Sequence, residues 1–235
     1  MEGYEVIKER RIERGYTLKD FAELAGIVKT TLMYYENGTW DLRKLTLGRA
    51  IPIFRALELN IEDFFEEHYS VKSAMNEKIK KWHQEHPRIL DREVLKGRIY
   101  DRCYKACMRS KAPAARRGAL MDKCKDTMHI LSNCKTQDGC IPEDIYKEYI
   151  LPLQYEISML DEKEHPNPVT SQIVEALYKS GLSQRDMCEL CGVSVKNFAK
   201  YKNGSMGYHS MRIETALNLC VVLGLEFDKA FSSLQ

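Results

Sequence analysis

Six side chains able to ligate a metal ion crowd into the middle of this 235-residue chain: Cys103, Cys107, Cys124, His129, Cys134 and Cys140. Zinc takes four thiolate or imidazole ligands at the corners of a tetrahedron. Cys103 and Cys107 lie four apart and so share one face of a helix. The intervals Cys103-x3-Cys107 and Cys134-x5-Cys140 are irregular, and no CxxC occurs in this stretch. These residues are therefore read as core thiols, and no metal is assigned. The chain shows no phosphate loop, no nucleophile motif and no paired acid and base. No catalytic residue, no cofactor and no enzyme is expected.

The chemistry that remains is charge. The net charge of +2 hides an uneven distribution. Residues 1–69 carry 10 basic and 13 acidic side chains, residues 72–126 carry 16 and 7, residues 127–165 carry 3 and 8, and the last seventy carry 7 and 6. A basic block of this kind points to an anionic partner, against the alternative of a solvated helical surface. Lys81-Trp82-His83 and Tyr100 lie within it and could stack on nucleic acid, or else line a core or groove. No run of eighteen apolar residues occurs, so no membrane span is expected. The start, MEGYEVIKERRIERG, has no apolar segment of the signal-peptide kind. Eight cysteines without such a leader suit a reducing, cytoplasmic setting.

The elements that must position these charges come as a repeat. YYENG at Tyr34–Gly38 is echoed by KYKNG at Lys200–Gly204, 166 residues later. In that register 10 of 32 residues from Ile7 to Gly38 are identical to Ile173–Gly204, without a gap. The register continues through Ala50/Ala216, Leu57/Leu223, Leu59/Leu225 and Phe65/Phe231. Such a register implies one unit built twice. Each copy reads as short helices punctuated by glycine: YEVIKERRIERG, LKDFAELAG and KTTLMYYENG, then SQIVEALYKSG, SQRDMCELCG and VKNFAKYKNG. Thr17, Ser183 and Ser194 are the expected N-caps. A later helix in each copy carries Pro52 or Asn218, and Pro52 should kink it.

The middle, roughly 70–165, also has helical periodicity. Helices are expected over AMNEKIKKWHQEH, LDREVLKGRIYDRCYKACMRS, ALMDKCKDTMHILSNC and PEDIYKEYILPLQYEISML. KAPAARRG should break two of them, and DEKEHPNP, with Pro166 and Pro168, should be a linker. The expected fold class is all-α, with small domains over 1–69 and 166–235 flanking a helical middle domain over 70–165. A segment of that length is expected to hold the two ends apart and to supply oligomer contacts.

Both repeats resemble the Cro and phage-repressor type of helix-turn-helix domain. The likeness rests on TLKDFAELAGIVKTTLMYYENG and LSQRDMCELCGVSVKNFAKYKNG, and on the trailing ALELNIEDFF and LGLEFDKAF. It implies that the third helix of each repeat enters the major groove of duplex DNA. The base-contacting residues would then be Lys29, Thr30, Thr31 and Tyr34 in the first repeat, and Val195, Lys196, Asn197 and Lys200 in the second. Lysine can donate to guanine, asparagine can pair with adenine, and Thr or Val methyls can touch thymine. Phosphate contacts would come from Thr17, Asn37, Arg43 and Lys44, and from Ser183, Gln184, Lys202, Asn203 and His209. Asn37 and Asn203 could equally be left-handed turn residues.

Three departures separate the copies. Arg11 and Glu36 match an ion pair of the resembled domain, but Leu177 and Lys202 stand at those positions in the second repeat. Lys202 is then expected to add charge beside Lys196 and Lys200. Leu18 replaces the phosphate-gripping glutamine that Gln184 supplies, and Val28 stands where an N-cap serine is usual. Cys188-x-x-Cys191 has metal or redox spacing but falls on two core positions of the motif.

The resemblance implies a sequence-specific DNA-binding transcriptional regulator of the repressor kind, of bacterial or phage-like type. Its expected partners are double-stranded DNA and a second copy of the chain. The alternative is a protein- or RNA-interacting inhibitor or antitoxin on the same scaffold that also regulates its own expression. There the basic region 72–126 would grip the partner.

Overall fold

The computed structural model describes residues 2–86, 90–160 and 167–234, and every regular element among them is helical. The first unit comprises α1 (Gly3–Glu13), α2 (Leu18–Leu24), α3 (Lys29–Glu36), α4 (Leu47–Ala56) and α5 (Ile61–Tyr69). The second comprises α11 (Pro168–Ser180), α12 (Gln184–Cys191), α13 (Val195–Lys202), α14 (Ile213–Leu223) and α15 (Phe227–Ala230). Between them run α6 (Val71–Glu85), α7 (Arg92–Arg109), α8 (Ala114–Asn133), α9 (Glu143–Ile145) and α10 (Leu151–Met159). No helix among the described residues is long and apolar enough to cross a membrane.

The 166-residue register extends to individual hydrogen bonds. Ile27 N–H donates to Ala22 at 2.9 Å and Val193 N–H to Cys188 at 3.0 Å. Trp40 N–H reaches Tyr34 at 2.9 Å and Met206 N–H reaches Lys200 at 3.0 Å. Gly26 and Gly192 turn the chain between the second and third helices at φ 63° and 70°, where a Cβ would be strained. Thr17 and Ser183 accept from the amides of Asp20 and Asp186, which fixes the start of α2 and α12.

The units pack directly on each other. Leu47 N–H donates to Met211 C=O at 2.8 Å, and Ile213 N–H donates to Leu45 C=O at 2.7 Å. Leu45 corresponds to Met211 and Leu47 to Ile213, so the two bonds exchange under a local two-fold axis beside Thr46 and Arg212. The flanks obey the same exchange. Arg43 approaches Glu214 at 3.9 Å, while the equivalent His209 lies against the equivalent Gly48. At the N-termini of α5 and α15, Asn60 donates to Asp228 at 3.4 Å, and the Phe227 amide bonds to Glu62. A single apolar cluster runs from Ile7, Phe21 and Phe54 of the first unit to Ile213, Phe227 and Phe231 of the second. The expectation that the middle segment holds the ends apart is therefore incorrect. Leu45, Leu47, Met211 and Ile213 are all buried, and water-free burial favours direct contact over separation.

The middle segment has its own core, in which Leu95, Ile99 and Cys103 of α7 meet Leu120, Cys124 and Leu131 of α8, with Leu151 and Leu153 from α10. It leans on the second unit. α6 lies along α14, and Lys78 Nζ donates to the Leu190 carbonyl at 2.6 Å, at the C-terminal end of α12. Tyr155 of α10 packs on Tyr178 of α11 with ring centroids 4.0 Å apart. Leu190 is 1% exposed, whereas its equivalent Leu24 is 53% exposed.

Two expected breaks differ in detail. Only Ser110–Pro113 interrupts the chain between α7 and α8, and Arg116, Arg117 and Gly118 are helical. Of the expected linker, residues 161–166 lie outside the described residues, and Pro168 is instead the first residue of α11, capped by Asn167. Proline is suited there, because the first helical N–H has no partner to lose. α4 continues through Pro52. A five-residue π turn, Tyr146–Ile150, ends two residues before Pro152, and Leu151 N–H bonds back to Tyr146 C=O.

One shared core predicts one unfolding transition for both units. The chain has two tryptophans. Trp40 belongs to the first unit, and Trp82 belongs to α6, which lies on the second. Urea unfolding of Trp40→Phe and Trp82→Phe, each followed by its remaining tryptophan, should show the same cooperativity and no residual structure in either half. Biphasic curves, or one unit unfolding while the other stays folded, would show independent units.

Candidate nucleic-acid interface

The third helix of each unit buries one face and presents the other. In α3, Leu32, Tyr35 and Glu36 point inward, while Lys29, Thr30 and Tyr34 are exposed and Thr31 is half-buried. In α13, Phe198 and Tyr201 point inward, while Val195, Lys196 and Asn197 are exposed and Lys200 is half-buried. Lys196 and Lys200 are one turn apart on one face. Ser194 caps α13 by accepting from Asn197 N–H at 3.1 Å, which holds Asn197 in the first turn. Val28 offers α3 no such bond and stands 67% exposed.

The expected phosphate contacts fall into distinct surroundings. Thr17 and Ser183 are exposed and donate to the carboxylates of Asp20 and Asp186 at 2.7 and 2.6 Å. The first amides of α2 and α12 have no intrahelical partner and lie beside these caps. Asn37 and Asn203 are exposed, and each side-chain oxygen accepts the amide two residues on, Thr39 or Ser205, at 3.0 Å. The left-handed positions are Gly38 and Gly204, not the asparagines. Lys44 and His209 are exposed.

Arg43 is turned into its own loop. Its guanidinium bonds to Asp41 at 2.9–3.1 Å and lies 5.5 Å from the centre of the Tyr69 ring. Partial burial alone would raise the Asp41 carboxyl, but hydrogen bonds from Arg43 outweigh it and hold that carboxyl below its ordinary value.

Lys202 does not sit with Lys196 and Lys200. Six residues after Lys196 it has rotated to the far side of α13, one turn beyond the buried Phe198. It lines a cavity of about 580 Å3 with Leu177, Leu182, Ser183 and Gln184, facing Arg98 and Arg102 of α7. In the first unit the same ground is filled. Arg11 Nε and Nη2 donate to the two Glu36 oxygens at 2.7 and 2.9 Å, and Nη1 donates to Tyr16 C=O at 2.8 Å. This buried fork ties α1 to α3 and to the turn before α2.

Six of the eight cysteines are buried packing groups, whereas Cys134 is half-buried and Cys140 is exposed, so the expectation of a core thiol is incorrect for Cys140, which stands in the turn after α8. Cys103 and Cys124 are fully buried in the middle core, and a hydrogen bond between them holds the Cys103 thiol protonated. Burial pushes Cys188 up to about 11 and Cys191 up to about 12, so neither is a thiolate at neutral pH. His129 is exposed on α8 and bonds with Asn133. Trp82 stacks on His86 with ring centroids 4.7 Å apart, and Tyr100 is exposed.

Sequence reasoning missed several exposed residues. Lys19 and Arg185 occupy equivalent places in the first turns of α2 and α12, and the matched basic pair was visible in the repeat register. Met33 and Trp40 add apolar surface around Tyr34, whose ring centre lies 5.0 Å from that of Trp40. No sequence signal separated these two from core residues.

Residues 7–64, which span α2 and α3 and most of the first unit, match the helix-turn-helix family model. No curated protein and no solved structure matches the chain.

The Arg11–Glu36 fork gives a stability prediction. Glu36→Ala leaves a buried guanidinium without its carboxylate and should cost about 3–5 kcal/mol. Arg11→Leu combined with Glu36→Met should recover most of that loss. Urea denaturation of the three chains measures both effects, and a harmless Glu36→Ala would show that the fork contributes little.

Proposed function

We propose that this chain is a sequence-specific transcriptional regulator of the repressor kind, in which both units read DNA and one chain provides the paired heads. The observation that carries this reading is the reciprocal bonding of Leu45–Leu47 with Met211–Ile213. Two similar reading heads related by a local two-fold axis suit two half-sites in inverted orientation. The match of residues 7–64 supports the first head. The second head rests on its equivalent hydrogen bonds and on the exposed Lys196 and Asn197.

The mechanism needs no bond-making chemistry. Basic side chains and helix N-termini neutralise phosphates and release counterions. Lys29, Thr30, Thr31 and Tyr34 read one half-site, and Val195, Lys196, Asn197 and Lys200 read the other. These two sets differ, so the half-sites are inverted but unlike in sequence. Occupancy then excludes polymerase. Because the heads pair within one chain, a second copy is not required for a bipartite site.

Selection of bound duplexes from a random pool tests this. The expected product is a bipartite, inverted, imperfect site bound by one chain, with affinity falling steeply as salt rises. Recovery of no preferred sequence would overturn the reading. Lys196→Ala or Asn197→Ala should cost about 1–3 kcal/mol and relax preference in one half-site only. Lys29→Ala should act on the other half. Equal loss on all sequences would remove these residues from base reading.

A further inference from the structure

The basic residues of α7 are ordered, and their placement is not explained by the two heads. Arg98, Arg102, Lys105 and Arg109 follow the spacing four, three, four, which aligns them along one face of the helix. All four are exposed. Lys105 is paired with Asp101 at 2.7 Å. Arg98, Arg102 and Arg109 form no ion pair with any described residue. The ridge begins at a defined place: Arg98 and Arg102 line the same cavity as Ser183 and Gln184, the start of α12. The acidic groups there are already engaged, Asp101 by Lys105 and Asp186 by the Ser183 cap.

The ridge then runs away from the second head over about 16 Å, at 1.5 Å per residue. That length matches about five base pairs of duplex. The first head has no such extension, because the middle segment leans on the second head through α6 and α10. Its corresponding ground is closed by Arg11 and Glu36.

We propose that α7 is a third DNA-contacting element: Arg98, Arg102 and Arg109 hold the phosphate backbone where the duplex leaves the second head. This rests on the second head binding DNA as described above. It makes the footprint asymmetric, with about five more protected base pairs on the second-head side. These contacts touch phosphates only, so they add affinity and salt dependence without adding sequence preference.

The test uses the full chain and the duplex selected by the wild-type protein, extended by ten base pairs on each side. The second-head side is identified as the half-site whose preference Lys196→Ala relaxes. Replacing Arg98, Arg102 and Arg109 together by Ala should weaken binding about tenfold or more at low salt. It should also reduce the slope of log affinity against log salt by about 2–3. Hydroxyl-radical protection should be lost on the outer second-head flank alone, with the selected sequence unchanged. The Arg→Lys triple variant keeps the charges and should keep both slope and flank protection, which separates charge from folding. Unchanged affinity, slope and footprint in the Ala variant would overturn the proposal. Tighter binding by that variant would also overturn it, by showing that α7 obstructs the duplex. Failure of the wild-type chain to select any sequence would instead remove the regulator reading, and this proposal with it.

Discussion

The arrangement depends on two backbone hydrogen bonds that exchange with each other, Leu47 to Met211 and Ile213 to Leu45. Each satisfies a buried amide that helix geometry leaves without a partner at the start of α4 or α14. Burying either loop alone would strand those groups, and a stranded buried amide costs about 1–3 kcal/mol. The side chains on either side, Leu45, Leu47, Met211 and Ile213, are excluded from water by the same contact. The polar and apolar requirements are thus met by one geometry, and that geometry fixes the relation between the units.

Symmetry of this kind would normally be supplied by a second molecule. Here a single chain supplies both partners, which frees each to diverge. The first unit keeps the Arg11–Glu36 fork and leaves Leu24, Val28 and Trp40 open to solvent. In the second, Leu177 and Lys202 replace the fork. Leu190 is buried and its carbonyl accepts from Lys78 of α6, and the ground beside Lys202 becomes a cavity facing α7. The middle segment is joined to one side of an otherwise balanced pair. Its basic ridge therefore begins beside the second unit, where Arg98 and Arg102 line that cavity.

The third helices show how a small core allows such divergence. Leu32 and Tyr35, or Phe198 and Tyr201, anchor each helix through its inner face. The outer face carries no packing load, so Lys29, Thr30 and Tyr34 can differ wholly from Val195, Lys196 and Lys200 without disturbing the fold. The caps differ too: Ser194 closes α13 with a hydrogen bond, and Val28 leaves α3 without one.

The sequence by itself determined the helices, their caps and the 166-residue register, because these are set by local spacing: apolar periodicity, Ser or Thr before a helix, glycine after it. The pairing of Arg11 with Glu36 came from the resemblance to the repressor-type helix-turn-helix domain and not from local spacing, and the structure forms it. The sequence did not determine which surfaces meet. The direct pairing of the units joins residues 166 apart. Nothing local distinguishes Leu45 and Leu47 as contact residues from any other buried leucine. The same holds for Lys202, whose helical phase carries it away from Lys196 and into the cavity beside α7. Leu24 and Leu190 are the same residue in the same place of the repeat, one exposed and one buried. Only their surroundings tell them apart, because burial belongs to the assembled surface and not to the residue.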